Sequence, residues 1–434
     1  MLNNHPNRFF EGKDLKILKT EELNKLKSNF LSLTILQAVN YILPLLTLPY
    51  LVKTLGVDYF GLLAFATATI TYFGTLTDYG FNLTATKEIS IHRDNPQKVS
   101  EIFSSVMIIK FFLLTFSFLL LLLLTLSFSK FGEHWEIYLL TFGTVIGQFL
   151  FPVWFFQGME KMKYITVLNL IAKSLFTIAI FGFVQSKEDV YLVPLFFSLG
   201  GIVAGFISLY IIYTKFQTHF KLQKVETIKT YLIDGWHVFL SRFYVSMYTS
   251  ANLLLLGFLT NNVIVGYYAI AEKIVLAIAG IFEPLNHALY PYLARKYKEN
   301  FGHFVILLKR IALLFIVSAL GFLLISEYFV QELVYLVHGA YHLSIAFLLS
   351  IFLLRVLTYP YGALLSNALI IMKETKDYMK VMNYTVILNF MFVPLSIYFY
   401  DAMGLVIAFI FVTFIHVLLL WYYVYQAIKD LRRQ

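Results

Sequence analysis

The sequence predicts an all-α integral membrane protein of about twelve transmembrane helices, and three observations carry that prediction. Of its 434 residues, 59% are hydrophobic and only 14% charged, against about 45–50% apolar and about 25% charged in ordinary globular chains. Mean hydropathy is +0.74. Apolar runs such as residues 107–128, interrupted by Lys110 alone, reach the roughly 20 residues needed to cross ~30 Å of hydrocarbon.

Apolar segments fall near residues 30–52, 58–78, 102–128, 136–157, 165–184, 190–213, 233–259, 263–288, 305–329, 343–371, 381–400 and 402–426. Twelve spans of about 20 residues leave loops of ~15 on average, too little for a separate soluble catalytic domain. With a cytoplasmic N-terminus, the inside segments hold 26 Lys and Arg residues, and the outside loops hold only Lys53, Lys130 and Lys187. That asymmetry places both termini in the cytoplasm and accounts for the net charge of +9 without nucleic acid. Residues 1–28 read either as a cytoplasmic amphipathic helix, with Leu15, Leu18, Leu23, Leu26 and Phe30 among lysines, or as a solvated leader that sets topology. Pro44, Pro49, Pro152, Pro284, Pro291 and Pro360 remove backbone donors within or at the ends of spans, so kinks are expected there.

The chain repeats itself. Gly61-Leu-Leu-Ala-Phe-Ala66 matches Gly266-Tyr-Tyr-Ala-Ile-Ala271 at an offset of 205, which pairs Asp78 with Glu283 and Gln37 with Arg242. Tyr164-Ile-Thr-Val-Leu-Asn169 matches Tyr378-Met-Lys-Val-Met-Asn383 at an offset of 214. The order is kept, and a nine-residue insertion supplies the difference. The expected organisation is a cytoplasmic segment 1–28, an N-lobe 29–213, an inter-lobe loop 214–231, a C-lobe 232–426 and a tail 427–434. An even number of spans per repeat gives parallel repeats, an arrangement that in transporters puts the substrate path between two lobes.

Five basic residues lie within the spans: Lys110, Lys173, Arg242, Lys273 and Arg355. A charge at bilayer depth costs about 2.5–3.5 kcal/mol on insertion scales, so these groups are expected to line a wet cavity, although Lys110 and Lys173 could snorkel. Asp78, Glu272 and Glu283 share the region. They serve either as neutralising partners or as carriers of a coupling ion, since burial raises a carboxyl pKa. Adjacent Glu272 and Lys273 point ~100° apart on a helix and are not expected to pair. The basic excess favours an anionic substrate, and arginine suits phosphate through its bidentate fork.

Enzyme signatures are missing: there is no P-loop, no His-Glu-x-x-His and no dinucleotide fingerprint. His338 and His342 have metal-compatible spacing, but no carboxylate follows in register. The sequence contains no cysteine, which excludes disulfides, thiolate metal sites and cysteine nucleophiles. No catalytic residue, metal site or cofactor is therefore expected.

Asn29 and Gln37, then Pro49-Tyr50-Leu51, Leu55-Gly56, Phe60-Gly61, Asp78-Tyr79-Gly80-Phe81 and Thr86-Lys87-Glu88-Ile89-Ser90 occur in that order. Trp154, Phe156-Gln157-Gly158-Met159-Glu160 and Val265-Gly266-Tyr267-Tyr268 follow. In these features the chain resembles the Wzx-type polysaccharide flippases of the multidrug/oligosaccharidyl-lipid/polysaccharide (MOP) exporter superfamily, over essentially its whole length. The resemblance implies alternating access by two lobes around a cationic cavity. The cargo would be undecaprenyl-diphosphate-linked oligosaccharide units, moved from the cytoplasmic to the outer leaflet of the bacterial inner membrane for O-antigen or capsule synthesis. A coupling ion (H+ or Na+), membrane lipids and polysaccharide polymerase or assembly proteins are the partners it implies. Under that reading Arg242, Lys273 and Arg355, with Lys110 and Lys173, would hold the diphosphate or acidic sugar, while Glu272, Glu283 and Asp78 would couple the ion. Two other classes compete. A multidrug or small-cation antiporter of the same superfamily should present acids rather than a basic excess. A membrane-embedded polymerase or acyltransferase should show a large outer loop or an intramembrane catalytic histidine.

Overall fold

The computed structural model describes residues 12–431, with side chains from residue 39 onward except at 41, 245, 248, 249, 287 and 288. The amphipathic face expected within 1–28 and the expected Gln37 pairing lie outside the described side chains. Every element is helical among the described residues. The chain runs α1 (Gly12–Asp78), α2 (Phe81–His92), α3 (Pro96–Ser127), α4 (Ser129–Gly132), α5 (Trp135–Leu150), α6 (Val153–Gly158), α7 (Met162–Phe183) and α8 (Leu192–Lys215). It continues through α9 (Val225–Thr249), α10 (Ala251–Leu259), α11 (Asn262–Gly280), α12 (Glu283–Glu299), α13 (Phe301–Tyr328), α14 (Val330–His338), α15 (Leu343–Leu353), α16 (Arg355–Ile371) and α17 (Thr375–Leu431).

Nine helical stretches among the described residues are long and apolar enough to cross a bilayer. They differ from the expected dozen for physical reasons. Ile42–His92 and Thr375–Leu431 have 51 and 57 residues, or roughly 77 and 86 Å at 1.5 Å per residue, far more than one ~30 Å crossing. Each is broken internally. In α1 the break is Gly56, at φ 82° and ψ 165°, a conformation open essentially to glycine alone. In α17 it is Tyr400 and Asp401, the latter at φ 50° and ψ −135°. The stretch from α9 to α10, expected as a span over 233–259, is not among the nine; it carries Glu226, Lys229, Asp234 and Arg242 and breaks at Ser250.

Proline breaks some helices and not others. Pro152 caps α6, separating it from α5, and Pro284 enters the first turn of α12, where its missing N–H costs nothing. Pro44, Pro49, Pro291 and Pro360 lie inside helices that continue through them.

Two apolar cores hold the bundle. One extends from Leu48 through α5, α11, α15 and α16 to α17. The other gathers Phe81, Ile89, Phe103, Tyr79 and Phe239 around the fully buried Trp154, Phe155 and Phe156. Here two of the sequence motifs meet. The Thr86 hydroxyl donates to the Trp154 carbonyl at 3.2 Å, Arg93 pairs with Glu160 at 2.7 Å, and Gly158 lies against Ile89 and the Thr86 carbonyl so closely that a Cβ would sit 2.7 and 2.9 Å from them. Those motifs build scaffold between α2 and α6.

Candidate functional site

A cavity of about 1080 Å³ opens inside the bundle, walled by α1, α3, α5, α7 and α8 on one side and by α9, α10, α11 and the first residue of α16 on the other. All five in-span basic residues reach its wall: Lys110, Lys173, Arg242, Lys273 and Arg355. Asp78 and Glu272 lie there too. Glu283 does not line it. α11 ends at Gly280, and Glu283 begins a new helix, α12, beyond the break.

The charges divide by their partners. Lys110 does not snorkel: its side chain is 4% exposed, with its ammonium 3.6 Å from the Asp78 carboxylate. Asp78 also accepts from the Asn82 amide at 2.8 Å. A charge so deeply buried persists only with a counter-charge and hydrogen bonds. Lys173 donates to the Asn40 side chain of α1. Arg242 and Lys273 are exposed at the wall. Glu272 accepts from the Tyr268 hydroxyl at 3.2 Å, one turn earlier on α11.

Arg355 is held differently. Its guanidinium lies 5.0 Å from the ring centre of Phe409, 5.8 Å from Tyr359 and 6.0 Å from Phe352. Aromatic faces attract a cation and stack on the planar group. The three rings surround the guanidinium while its wall position keeps it at the cavity. Sequence reasoning nominated no aromatic residue, and it also passed over Asn40 and Asn82. Asn40, Asn82 and their partners were findable in principle as polar residues in or beside apolar runs, whereas Phe409 comes from a helix far along the chain.

One end of the bundle is closed where residues 56–61 meet 257–266. A Cβ on Gly61 would overlap the Asn262 carbonyl, and one on Gly266 would overlap the Val57 carbonyl. The Lys130 ammonium donates to the carbonyls of Gly257 and of Thr260, the latter at 2.8 Å, and lies 5.5 Å from the Phe65 ring centre. Lys130 thus caps the C-terminus of α10, where unpaired carbonyls and the helix dipole favour a cation. Burial pushes its pKa below the usual lysine value.

Solved structures share this all-helical membrane bundle around a charged cavity. The chain superimposes on the lipid II flippase MurJ in its inward closed conformation with a TM-score of 0.71 and 16% identity, covering 90% of this chain and 87% of that one. It superimposes on an inward-facing multidrug resistance MATE family transporter of the MOP superfamily with a TM-score of 0.65 and 13% identity, covering 91% and 99%. The family model described as "Polysaccharide biosynthesis protein" matches residues 26–297. A candidate O-antigen transporter of Escherichia coli (strain K12) is 33% identical over 293 residues, 68% of this chain and 70% of that protein. One of Shigella dysenteriae is 27% identical over 393 residues, 89% and 96% of the two. The chain belongs to the polysaccharide biosynthesis protein family, as its resemblance to Wzx-type flippases implies.

Proposed function

We propose that this protein is a flippase that carries undecaprenyl-diphosphate-linked oligosaccharide units from the cytoplasmic to the outer leaflet of the bacterial inner membrane. The observation that carries this reading is the convergence of five basic side chains, against two acidic ones, on a single cavity. Low-dielectric walls concentrate such a field on an anion, and about 1080 Å³ exceeds the ~300–1,000 Å³ typical of drug-sized sites. Arg242, Lys273 and Arg355 are the groups that meet the diphosphate. Lys110 and Lys173, already engaged by Asp78 and Asn40, set the shape and potential of the opposite wall. Two six-helix lobes, 29–213 and 232–426, rock about the cavity with both termini in the cytoplasm. Glu272 is the candidate for ion coupling, because it faces the cavity and has a hydroxyl partner on its own helix. The names of the O-antigen transporter relatives and of the lipid II flippase support a lipid-linked cargo.

The test is leaflet transfer in proteoliposomes, using undecaprenyl-diphosphate-linked oligosaccharides with different first sugars. Protein-dependent exposure in the opposite leaflet is expected. Absence of transfer under both proton and sodium gradients, together with export of organic cations, would overturn the reading in favour of an antiporter.

A further inference from the structure

A second concavity lies between α7 and α8, and it has the opposite chemistry. It holds about 190 Å³, and the twelve residues around it are Gly200 and eleven with apolar side chains. Ile171, Leu175, Leu199, Val203 and Ile207 on its rim are between 40% and 56% exposed, as expected of a surface that meets hydrocarbon. Along α7 it runs from Leu168 to Ala179, roughly 17 Å at 1.5 Å per residue, which is more than half the ~30 Å apolar thickness of a bilayer.

Its floor is also the wall of the charged cavity. Ala172, Phe176 and Gly200 line both spaces. The two helices touch there through their smallest residues, for a Cβ on Gly200 would sit 3.1 Å from the Ala172 carbonyl oxygen. The next residue, Lys173, turns its ammonium to Asn40 on the cavity side. Phe176 is closed against Phe197, another cavity residue. A polar compartment and an apolar one are therefore separated at mid-span by a single layer of side chains.

We infer that this groove holds the diphosphate-proximal part of the substrate's polyisoprenoid chain while its diphosphate and sugars occupy the cavity, α7 and α8 parting at the small residues Ala172 and Gly200 to pass the linkage. This rests on the flippase reading above. An amphiphile of that kind needs an apolar site directly beside a cationic one, since the chain gains nothing by entering a polar cavity and the diphosphate cannot enter lipid. The groove is an apolar surface that shares its floor with the cavity.

The experiment uses the full chain in phospholipid vesicles, with p-benzoylphenylalanine at Val203 in the groove or at Leu320 on α13 as a lipid-facing control. Photolabelling uses isotopically marked undecaprenyl-diphosphate-linked oligosaccharide. Labelling at Val203 is expected to exceed that at Leu320 at least about fivefold, and unlabelled polyprenyl diphosphate should compete it away where excess phospholipid does not. Equal labelling at the two positions, or displacement by phospholipid, overturns the inference. In a second arm, Val203→Trp and Ile207→Trp fill the groove. They should slow leaflet transfer at least about tenfold while binding of a short-chain, water-soluble analogue with the same head group is unchanged; undiminished transfer overturns the inference. If the wild type binds the short-chain analogue but Val203 is not labelled by the full lipid, the groove assignment fails and the flippase reading stands. If the wild type neither binds the analogue nor transfers the lipid, both fail.

Discussion

Gly61 and Gly266, 205 residues apart in sequence, lie face to face, and a Cβ built on Gly61 would come within 2.7 Å of the Gly266 amide nitrogen. The contact is reciprocal: Gly61 abuts Asn262, and Gly266 abuts Val57, residues that are themselves 205 apart. Two segments matched by sequence thus meet across a local twofold relationship, as equivalent surfaces do in an isologous interface. The break at Gly56 falls at the same offset as Asn261, the residue that caps α11 through the Ile264 amide. Gly61→Val or Gly266→Val forces side chain against backbone, which cannot yield as a side-chain tip can. Overpacking of a close contact typically costs about 1–3 kcal/mol. Each variant should lower the melting temperature in detergent, and the double variant should cost less than the sum because either one alone parts the helices. Strict additivity would show that the two glycines do not share a contact.

Lys130 secures the same end of the bundle by capping α10 with two hydrogen bonds to carbonyls. Hydrogen bonds to a charged donor contribute about 1.5–3 kcal/mol. Lys130→Met keeps a side chain of similar length but removes both bonds and the ammonium beside Phe65. It should destabilise the closed end by about 2 kcal/mol and raise the reactivity of a probe cysteine placed at Leu253 on the cavity wall toward an impermeant reagent added from that end. The chain has no cysteine of its own, so the signal has no background. Unchanged reactivity would mean that the cap does not hold the end closed.

The energetic cost of charge in a membrane made the cavity largely legible in the sequence. All five basic residues line the cavity, including Lys110 and Lys173, for which that argument left snorkelling open. The partners were less legible. Lys110 and Asp78 are 32 residues apart on helices whose packing no periodicity specifies, and the clamp on Arg355 draws Phe352, Tyr359 and Phe409 from α15, α16 and α17. Glu283 shows the opposite failure. It pairs with Asp78 by offset, but the helix breaks after Gly280 and carries it off the cavity wall. The family motifs around Thr86 and Trp154 mark a packing junction between α2 and α6.

Arg242 and Arg355 should differ in how they tolerate substitution. Alanine at either position is expected to reduce leaflet transfer at least tenfold with protein level intact. Lysine keeps the charge but loses the planar fork. At the exposed Arg242 a lysine should restore a good part of transfer, whereas Arg355→Lys also loses the broad guanidinium contact with three nearby rings and should restore little. Equal rescue at both positions would show that the aromatic clamp is packing alone. Full activity of the double alanine variant would remove the cationic cavity from the mechanism.

His342 gives the region between α14 and α15 a pH dependence. Its Nδ1 accepts from the Ile345 amide at 3.4 Å and its Nε2 lies 3.2 Å from the Tyr267 hydroxyl, an arrangement that needs the neutral ring. Burial, and then the neighbouring His338, lower its pKa. The unfolded chain therefore takes up the proton more readily than the folded one. Stability is complete above the ordinary histidine pKa of about 6.5 and declines as pH falls below it. Melting temperature should drop between pH 7 and pH 5, and His342→Gln should flatten that drop. An equal slope in the variant would assign the acid sensitivity to other groups.

The buried pair of Lys110 and Asp78 allows a sharper test, because removing one partner and removing both should have opposite consequences. With Lys110 4% and Asp78 20% exposed in their side chains, Lys110→Met leaves a carboxylate in a poorly solvated site beside the Asn82 amide. Breaking such a pair typically costs about 3–5 kcal/mol. Asp78→Asn strands the ammonium and should cost a similar amount. The double variant leaves neither charge, and an isosteric neutral pair is often as stable as the ion pair it replaces, so it should recover to within about 1 kcal/mol of the wild type. Transport then separates structure from function. If the pair only maintains the wall, the stable double variant should carry cargo normally. If Asp78 exchanges its lysine for a coupling ion during the cycle, the double variant should fold yet lose the dependence of transfer on an ion gradient.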